Sequence, residues 1–252
     1  MTKNLFDRVA PDYEQIHNRS LPPGVRSDTF VTQKAAKVVQ WITDAYADQE
    51  FCYLDFGCGN GRLFKCLVAS ELLQPLLAHN GLRLFGFDTS VESLKEAQTI
   101  ASDDRIGLVN NWGALPQDIR FDLVISCNVF HHIPPAERAE TVQTVRARLK
   151  ANATLIIWEH NPFNPLTRLI VKACPFDKDA HLLRLTTTIS LFQAQAFRYI
   201  THAYVNVLPP GLHRWPAVAA LESKLAQIPM GAQYWVMFKN EGESVRRAAE
   251  DD

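Results

Sequence analysis

Three glycines at two-residue spacing, Gly57, Gly59 and Gly61, follow directly on an apolar run that ends in Asp55-Phe56. Without a Cβ, glycine lets the backbone turn sharply and lets a ligand approach the main chain closely. A dinucleotide-binding loop would place its third glycine at position 62. Arg62 stands there, so a pyrophosphate loop is the weaker reading. A second apolar run ends at Asp88, 31 residues after Gly57, against roughly 20 in the dinucleotide pattern. A carboxylate at a strand end can accept hydrogen bonds from both hydroxyls of a ribose. The competing role for Asp88 is to cap the next helix. Thr89, three residues before Glu92, already has the spacing of a capping box, which favours the ribose.

Candidate proton acceptors cluster after two later apolar runs: the pair His131-His132, and His160 in Glu159-His160-Asn161-Pro162. Imidazole titrates nearest to neutral pH and serves most often as a general base. Adjacent histidines commonly divide, one ring facing a site and one the core, so each of the three is a candidate. The five cysteines are odd in number and contain no C-x-x-C pair. Neither a disulfide framework nor a cysteine-ligated zinc is expected, and no metal site is assigned.

These residues need a scaffold that brings loop ends together. Apolar runs at 51–56, 82–87, 121–126 and 154–158 alternate with helical patterns at 61–77, 90–101 and 135–149. Asn152 is expected as a left-handed residue after the last of these helices. Such alternation implies parallel strands joined by helical crossovers. Ahead of it, 32–46 reads as an amphipathic helix, and Leu5, Val9 and Tyr13 form a shorter helical pattern. Two more strands are expected at 199–208 and 234–239, around a helix near 215–227. In open α/β sheets ligands bind outside the carboxyl ends of the strands. The loops after Phe56, Phe87, Val109, Ser126 and Trp158 therefore carry the site.

The composition bounds the function. Of 252 residues 47% are hydrophobic, and 26 Lys and Arg balance 27 Asp and Glu for a net charge of -1. A general nucleic-acid binder needs a basic excess, which is missing. Met1 to Arg8 is polar, without a secretory leader, and no run is long enough to span a bilayer. Unpaired cysteines and the missing leader point to a cytoplasmic protein.

Asp55-x-Gly57-x-Gly59-x-Gly61, then Asp88, then Phe121-Asp122-Leu123-Val124 leading to Phe130-His131-His132-Ile133, resembles the class I S-adenosylmethionine-dependent methyltransferases over about residues 51–158. The resemblance implies a Rossmann-like, doubly wound α/β fold: a mostly parallel seven-stranded sheet in a single domain with an N-terminal helical cover. It divides the chain into a cap at 1–45, a methyltransferase domain at 46–240 with a lid insertion at about 160–195, and a tail at 241–252 that frays. It also implies S-adenosyl-L-methionine as cofactor, bound by Asp55, Gly57, Cys58, Gly59, Gly61, Asp88, Thr89, Asn111, Trp112 and Cys127. Asn111 stands where the family commonly has Asp, and its amide oxygen can still accept from the adenine N6 amino group. Trp112 has two readings, a stacking face for adenine or ordinary core packing.

Amino-directed DNA methyltransferases carry [D/N]-P-P-[Y/F] after the fourth strand, where this chain has Cys127-Asn128-Val129-Phe130. The run 159–168, with Cys174-Pro175-Phe176-Asp177 and the segment 231–234, is similar to one bacterial subfamily. Tyr13, His17, Asn128, Asn161, Arg168 and Asp177 are the candidate substrate contacts, and the proline-rich run reads equally as a stiff lid. The expected activity is methyl transfer to an O or N atom of a small molecule, with no nucleic-acid partner and no metal. A nicotinamide-dependent oxidoreductase and a non-catalytic cofactor-binding module are the alternatives.

Overall fold

Strand β1 (Phe51–Phe56) is buried along its whole length, and β2 (Leu82–Phe87) is buried except at Arg83. Continuous apolar runs of this kind suit a parallel sheet covered on both faces. The computed structural model describes residues 7, 13–21, 25–46, 50–79, 81–208, 212 and 215–242. Its chain divides into two compact units, residues 1–118 with 170–178, and residues 119–169 with 179–252.

In the first unit, α1 (Tyr13–Ser20) and α2 (Ser27–Ala45) precede β1. Helices α3 (Arg62–Val68) and α4 (Gln74–Ala78) connect β1 to β2, and α5 (Val91–Ala101) leads to β3 (Ile106–Val109). Strand β2 pairs in parallel with β1 and with β3, placing Asp55 opposite Gly86 and Phe87 opposite Val109. Helix α3 packs against both α2 and α5.

The second unit holds β4 (Phe121–Cys127), α6 (Arg138–Arg146), β5 (Leu149–His160), the start of α7 (Pro165–Ala173), α8 (Leu185–Gln193), β6 (Phe197–Val205), α9 (Pro216–Leu225) and β7 (Gln233–Asn240). Strands β4 and β5 are parallel, whereas β7 runs antiparallel to both β5 and β6. Phe192 of α8 lies against Phe130, Phe197 and Phe238, with ring centroids 5.0–5.8 Å away, and anchors this unit's core. The seven strands form one mostly parallel sheet ordered β3-β2-β1-β4-β5-β7-β6.

Several boundaries differ from the sequence reading. The helix expected over 61–77 is two helices, because Pro75 fits only within the first turn of a new one. Helix α2 begins at Ser27 rather than at 32. The helix expected over 135–149 covers only 138–146, and Leu149 already belongs to β5, opposite Phe121. Asn152 is left-handed at φ 60°, but it lies inside β5, where the register against β4 shifts, rather than behind a helix. The cap of α5 is also corrected. Ser90, not Thr89, is the N-cap, its hydroxyl accepting from Ser93 N at 3.1 Å. Leu5, Val9 and the tail beyond 242 lie outside the described residues.

Candidate functional site

The chemistry-bearing residues of the first unit gather at the carboxyl ends of β1, β2 and β3. All three loop glycines have positive φ, 82° at Gly57, 52° at Gly59 and 75° at Gly61. A Cβ on Gly61 would meet the Ala97 Cβ at 2.8 Å, so this position also sets how closely the loop packs on α5. A Cβ on Gly59 would meet nothing within 4 Å. The loop is pinned to β2, since Gly57 N and Cys58 N both donate to Phe87 O, at 2.7 and 3.0 Å.

Asp88 ties the loop to the helix that follows β2. Its Oδ2 accepts from Gly59 N at 2.9 Å and its Oδ1 from Ser90 N at 2.9 Å. Burial pushes its carboxyl above the usual carboxylate range, against the pull of those two N–H groups. A carboxylate has about four lone-pair sites, so capacity is left for two ligand hydroxyls. Ser90 Oγ donates to Asp7 Oδ1 at 2.6 Å, which draws an N-terminal residue to the same loop. Asp55, at the end of β1, is 3% exposed, and burial raises its pKa to about 7, with Lys34 opposing and Asp88 adding to the rise. Its Oδ1 has no hydrogen-bond partner among the described residues.

Arg62, which breaks the dinucleotide pattern, has its own task. Its guanidinium donates to Ser27 Oγ at 3.0 Å and pairs with Asp28, fastening α3 to the start of α2. Trp112 stacks on Phe87 at 4.4 Å and on Phe56 at 5.9 Å. Asn111 Oδ1 caps the short turn Trp112–Ala114, accepting from Ala114 N at 3.0 Å. Cys58 is buried, which pushes its thiol up, and Thr89, next to Asp88 in sequence, is exposed. Tyr13 and His17 belong to α1, but their side chains are outside the described set. Asp177 closes the short turn Pro175–Asp177, and Cys174 before it has a thiol raised to about 11 by burial and by the Asp177 charge.

The second unit brings His131, His132 and His160 together around a residue the sequence reading passed over. Glu159 is fully buried at the end of β5. Its Oε1 accepts from Val129 N and Phe130 N at 3.1 and 2.8 Å, and its Oε2 lies 2.5 Å from His131 Nδ1. Burial alone would push this carboxyl up, but the imidazole of His131 and the surrounding donors hold it below the usual range. The His131 ring lies 4.1 Å from that of His132 and 5.2 Å from that of His160. His131 is 1% exposed, while His132 and His160 are half-buried. The signal in the sequence was an acid directly after the apolar run Leu155–Trp158, since an unpaired buried carboxylate is too costly to keep.

Asn128, left-handed at φ 58°, and half-buried Cys127 end β4 beside this cluster in sequence. Gln233 Nε2 donates to Asn128 Oδ1 at 3.4 Å and lies 3.5 Å from His160 Nδ1. Asn161 is 1% exposed and its amide is fully engaged: Nδ2 donates to Pro229 O and Gly231 O, and Oδ1 accepts from Phe163 N. Asn164 Oδ1 accepts from Thr167 N at 2.9 Å in the manner of a helix cap, with Pro165 next, while its Nδ2 reaches Met230 O at 2.7 Å. The Asn-Pro pairs thus clamp the 229–232 segment to the start of α7. Arg168 is exposed.

Residues 54–155 match a family model described as a methyltransferase domain. No curated protein matches the chain. Among solved structures, it is similar to magnesium protoporphyrin IX methyltransferase (ChlM) from Synechocystis PCC 6803 with bound S-adenosylhomocysteine, at 16% identity and a TM-score of 0.62, covering 96% of this chain and 100% of that one. It is also similar to the N-methyltransferase NodS from Bradyrhizobium japonicum WM9, at 12% identity and a TM-score of 0.61, covering 96% and 99%. A third is a possible histamine N-methyltransferase from Thermotoga maritima, at 13% identity and a TM-score of 0.59, covering 96% and 100%. At such identities these likenesses establish the fold. The matched methyltransferase domain supports an enzyme that uses S-adenosylmethionine as methyl donor.

Proposed function

We propose that the protein methylates an oxygen or nitrogen of a small molecule, with the Gly57–Gly61 loop, Asp55 and Asp88 holding S-adenosylmethionine. The residues present suit that cofactor. Asp55 offers a cationic ligand a buried acidic oxygen that has no partner among the described residues, Asp88 has spare acceptor capacity for a ribose, and Gly59 leaves open space above the loop. When bound, S-adenosylmethionine supplies a methyl group on a positively charged sulfur, an already activated leaving group.

The observation that carries the choice of acceptor is the imidazole cluster around Glu159. An O–H or N–H acceptor gains the methyl carbon and gives up a proton, and a neighbouring base must take it. We assign His131 as the positioning residue, oriented through Nδ1 by Glu159. His132 and His160, both half-buried, are the candidate bases. Near-zero net charge and the missing [D/N]-P-P-[Y/F] run favour a small acceptor over a nucleic acid. Two of the similar structures are titled as N-methyltransferases and another as a carbon methyltransferase, so the attacking atom is part of the test.

The experiment is transfer of radiolabelled methyl from the cofactor to panels of alcohols, carboxylic acids, amines, carbon acids, protein and RNA. Label on an O or N atom of a small molecule, with an acidic limb in the pH–rate profile that His132→Ala or His160→Ala removes, supports the reading. Label at carbon, or in the protein or RNA fraction alone, overturns it.

A further inference from the structure

Helix α7 leaves two leucines open to solvent. Thr167 on its inner side is 4% exposed, yet Leu166 is 52% and Leu169 65% exposed. Phe163 just before the helix is 58% exposed and Met230 is 64% exposed. The main chain at Met230 is tied to the start of this helix. Asn164 Nδ2 donates to Met230 O, Asn161 Nδ2 to Pro229 O and Gly231 O, and Thr167 Oγ1 to Ala232 O at 2.9 Å. The Asn-Pro motif therefore holds an apolar patch rigidly open to solvent. Contiguous exposed apolar groups of this kind mark an interaction surface.

The charges around the patch say what it meets. Arg168 is exposed beside Leu166 and Leu169 on the helix, and the Arg184 guanidinium lies over the Phe163 ring, 5.4 Å from its centroid. Residues 160–176 contain Arg168 and Lys172 but no acidic residue, and residues 226–235 carry no charge at all. The chain as a whole is slightly acidic, so this basic bias is local. A second copy docking through the same face about a two-fold axis would bring like charges together. Apolar side chains rimmed by arginine instead complement an anionic bilayer surface, where leucines and an aromatic ring enter the interface and the cations meet headgroups.

We propose that Phe163, Leu166, Leu169 and Met230, with Arg168 and Arg184, form a docking surface for an anionic lipid membrane. The association is peripheral, as no helix of the described residues is long and apolar enough to cross a bilayer. The proposal is independent of the acceptor's identity.

The test is co-sedimentation of the full chain with vesicles of phosphatidylcholine alone and with about a third phosphatidylglycerol. The expected result is binding to the phosphatidylglycerol vesicles only, weakening as NaCl rises. The double variant Leu166→Ser, Leu169→Ser should bind at least about tenfold more weakly. Arg168→Glu should weaken binding as well, and Leu221→Ser, an exposed leucine on α9, should not. Thermal melting shows that each variant remains folded. No binding to either vesicle, or equal binding by the double variant, overturns the proposal. So does a dimer in sedimentation equilibrium that the double variant dissociates while neither protein binds vesicles; the face is then an interface between copies.

Discussion

Replacing Glu159 should be among the most damaging single changes in the second unit. The carboxylate is fully buried and accepts from two backbone N–H groups while facing His131 Nδ1 at 2.5 Å. Removing one partner of a buried pair strands the other, at a typical cost of about 3–5 kcal/mol. Glu159→Ala should lose that amount, and for a chain of this size the midpoint of thermal unfolding falls by about 6–20 °C. Glu159→Gln keeps an acceptor for Val129 N and Phe130 N and loses only the charge, so its loss should be about 1.5–3 kcal/mol. The pH dependence has a definite sign. The folded carboxyl titrates below its ordinary 4.5, so its stabilisation is complete above 4.5 and is lost as pH falls through the lower folded value. Urea unfolding of wild type, Glu159→Gln and Glu159→Ala at neutral pH and at stepped pH below 4.5 measures both effects. A Glu159→Ala loss under about 1 kcal/mol would refute the reasoning, as would a wild-type stability that falls no more steeply in acid than that of Glu159→Gln.

Three further outcomes are expected. Gly61→Ala, at φ 75° and with its Cβ 2.8 Å from that of Ala97, should cost about 1–3 kcal/mol in urea unfolding. Asn161→Ala removes two donors and one acceptor from the clamp and should cost about 2–3 kcal/mol, with faster amide exchange at residues around 229–232. Asp55, held near 7 by burial, should release a proton when a cation binds beside it, so calorimetry of cofactor binding near pH 6.5 should give a heat that depends on the buffer's ionisation enthalpy, and Asp55→Asn should abolish that dependence.

The sheet could be read from the sequence because buried parallel strands are written as mainly apolar runs, as in Phe51–Leu54 of β1. The glycine loop and Asp88 could be read because positive φ and a strand-end carboxylate leave few alternative residues. Local competition hid the rest. Thr89 and Ser90 are both capping residues, and only geometry chooses Ser90. Leu149 continues the helical stripe of α6 by spacing, yet the bulge at Asn152 lets the strand begin there. Glu159 carried no assigned role because its partners, His131 and two backbone N–H groups, come from residues about 30 positions earlier. Asn161 reads in the sequence as a polar contact for a substrate, and its amide holds the main chain at Pro229 and Gly231.

Cofactor binding by the loop is tested most directly by titration calorimetry of wild type and Asp88→Ala with S-adenosylmethionine, with NAD as control. Asp88 accepts from Gly59 N and Ser90 N and keeps two lone-pair sites for the ribose, so losing two hydrogen bonds to a charged acceptor should weaken binding about tenfold or more. The expected result is one S-adenosylmethionine per chain, that loss of affinity in a folded Asp88→Ala variant, and no binding of NAD. Equal affinity in the two proteins, or a preference for NAD, would contradict it.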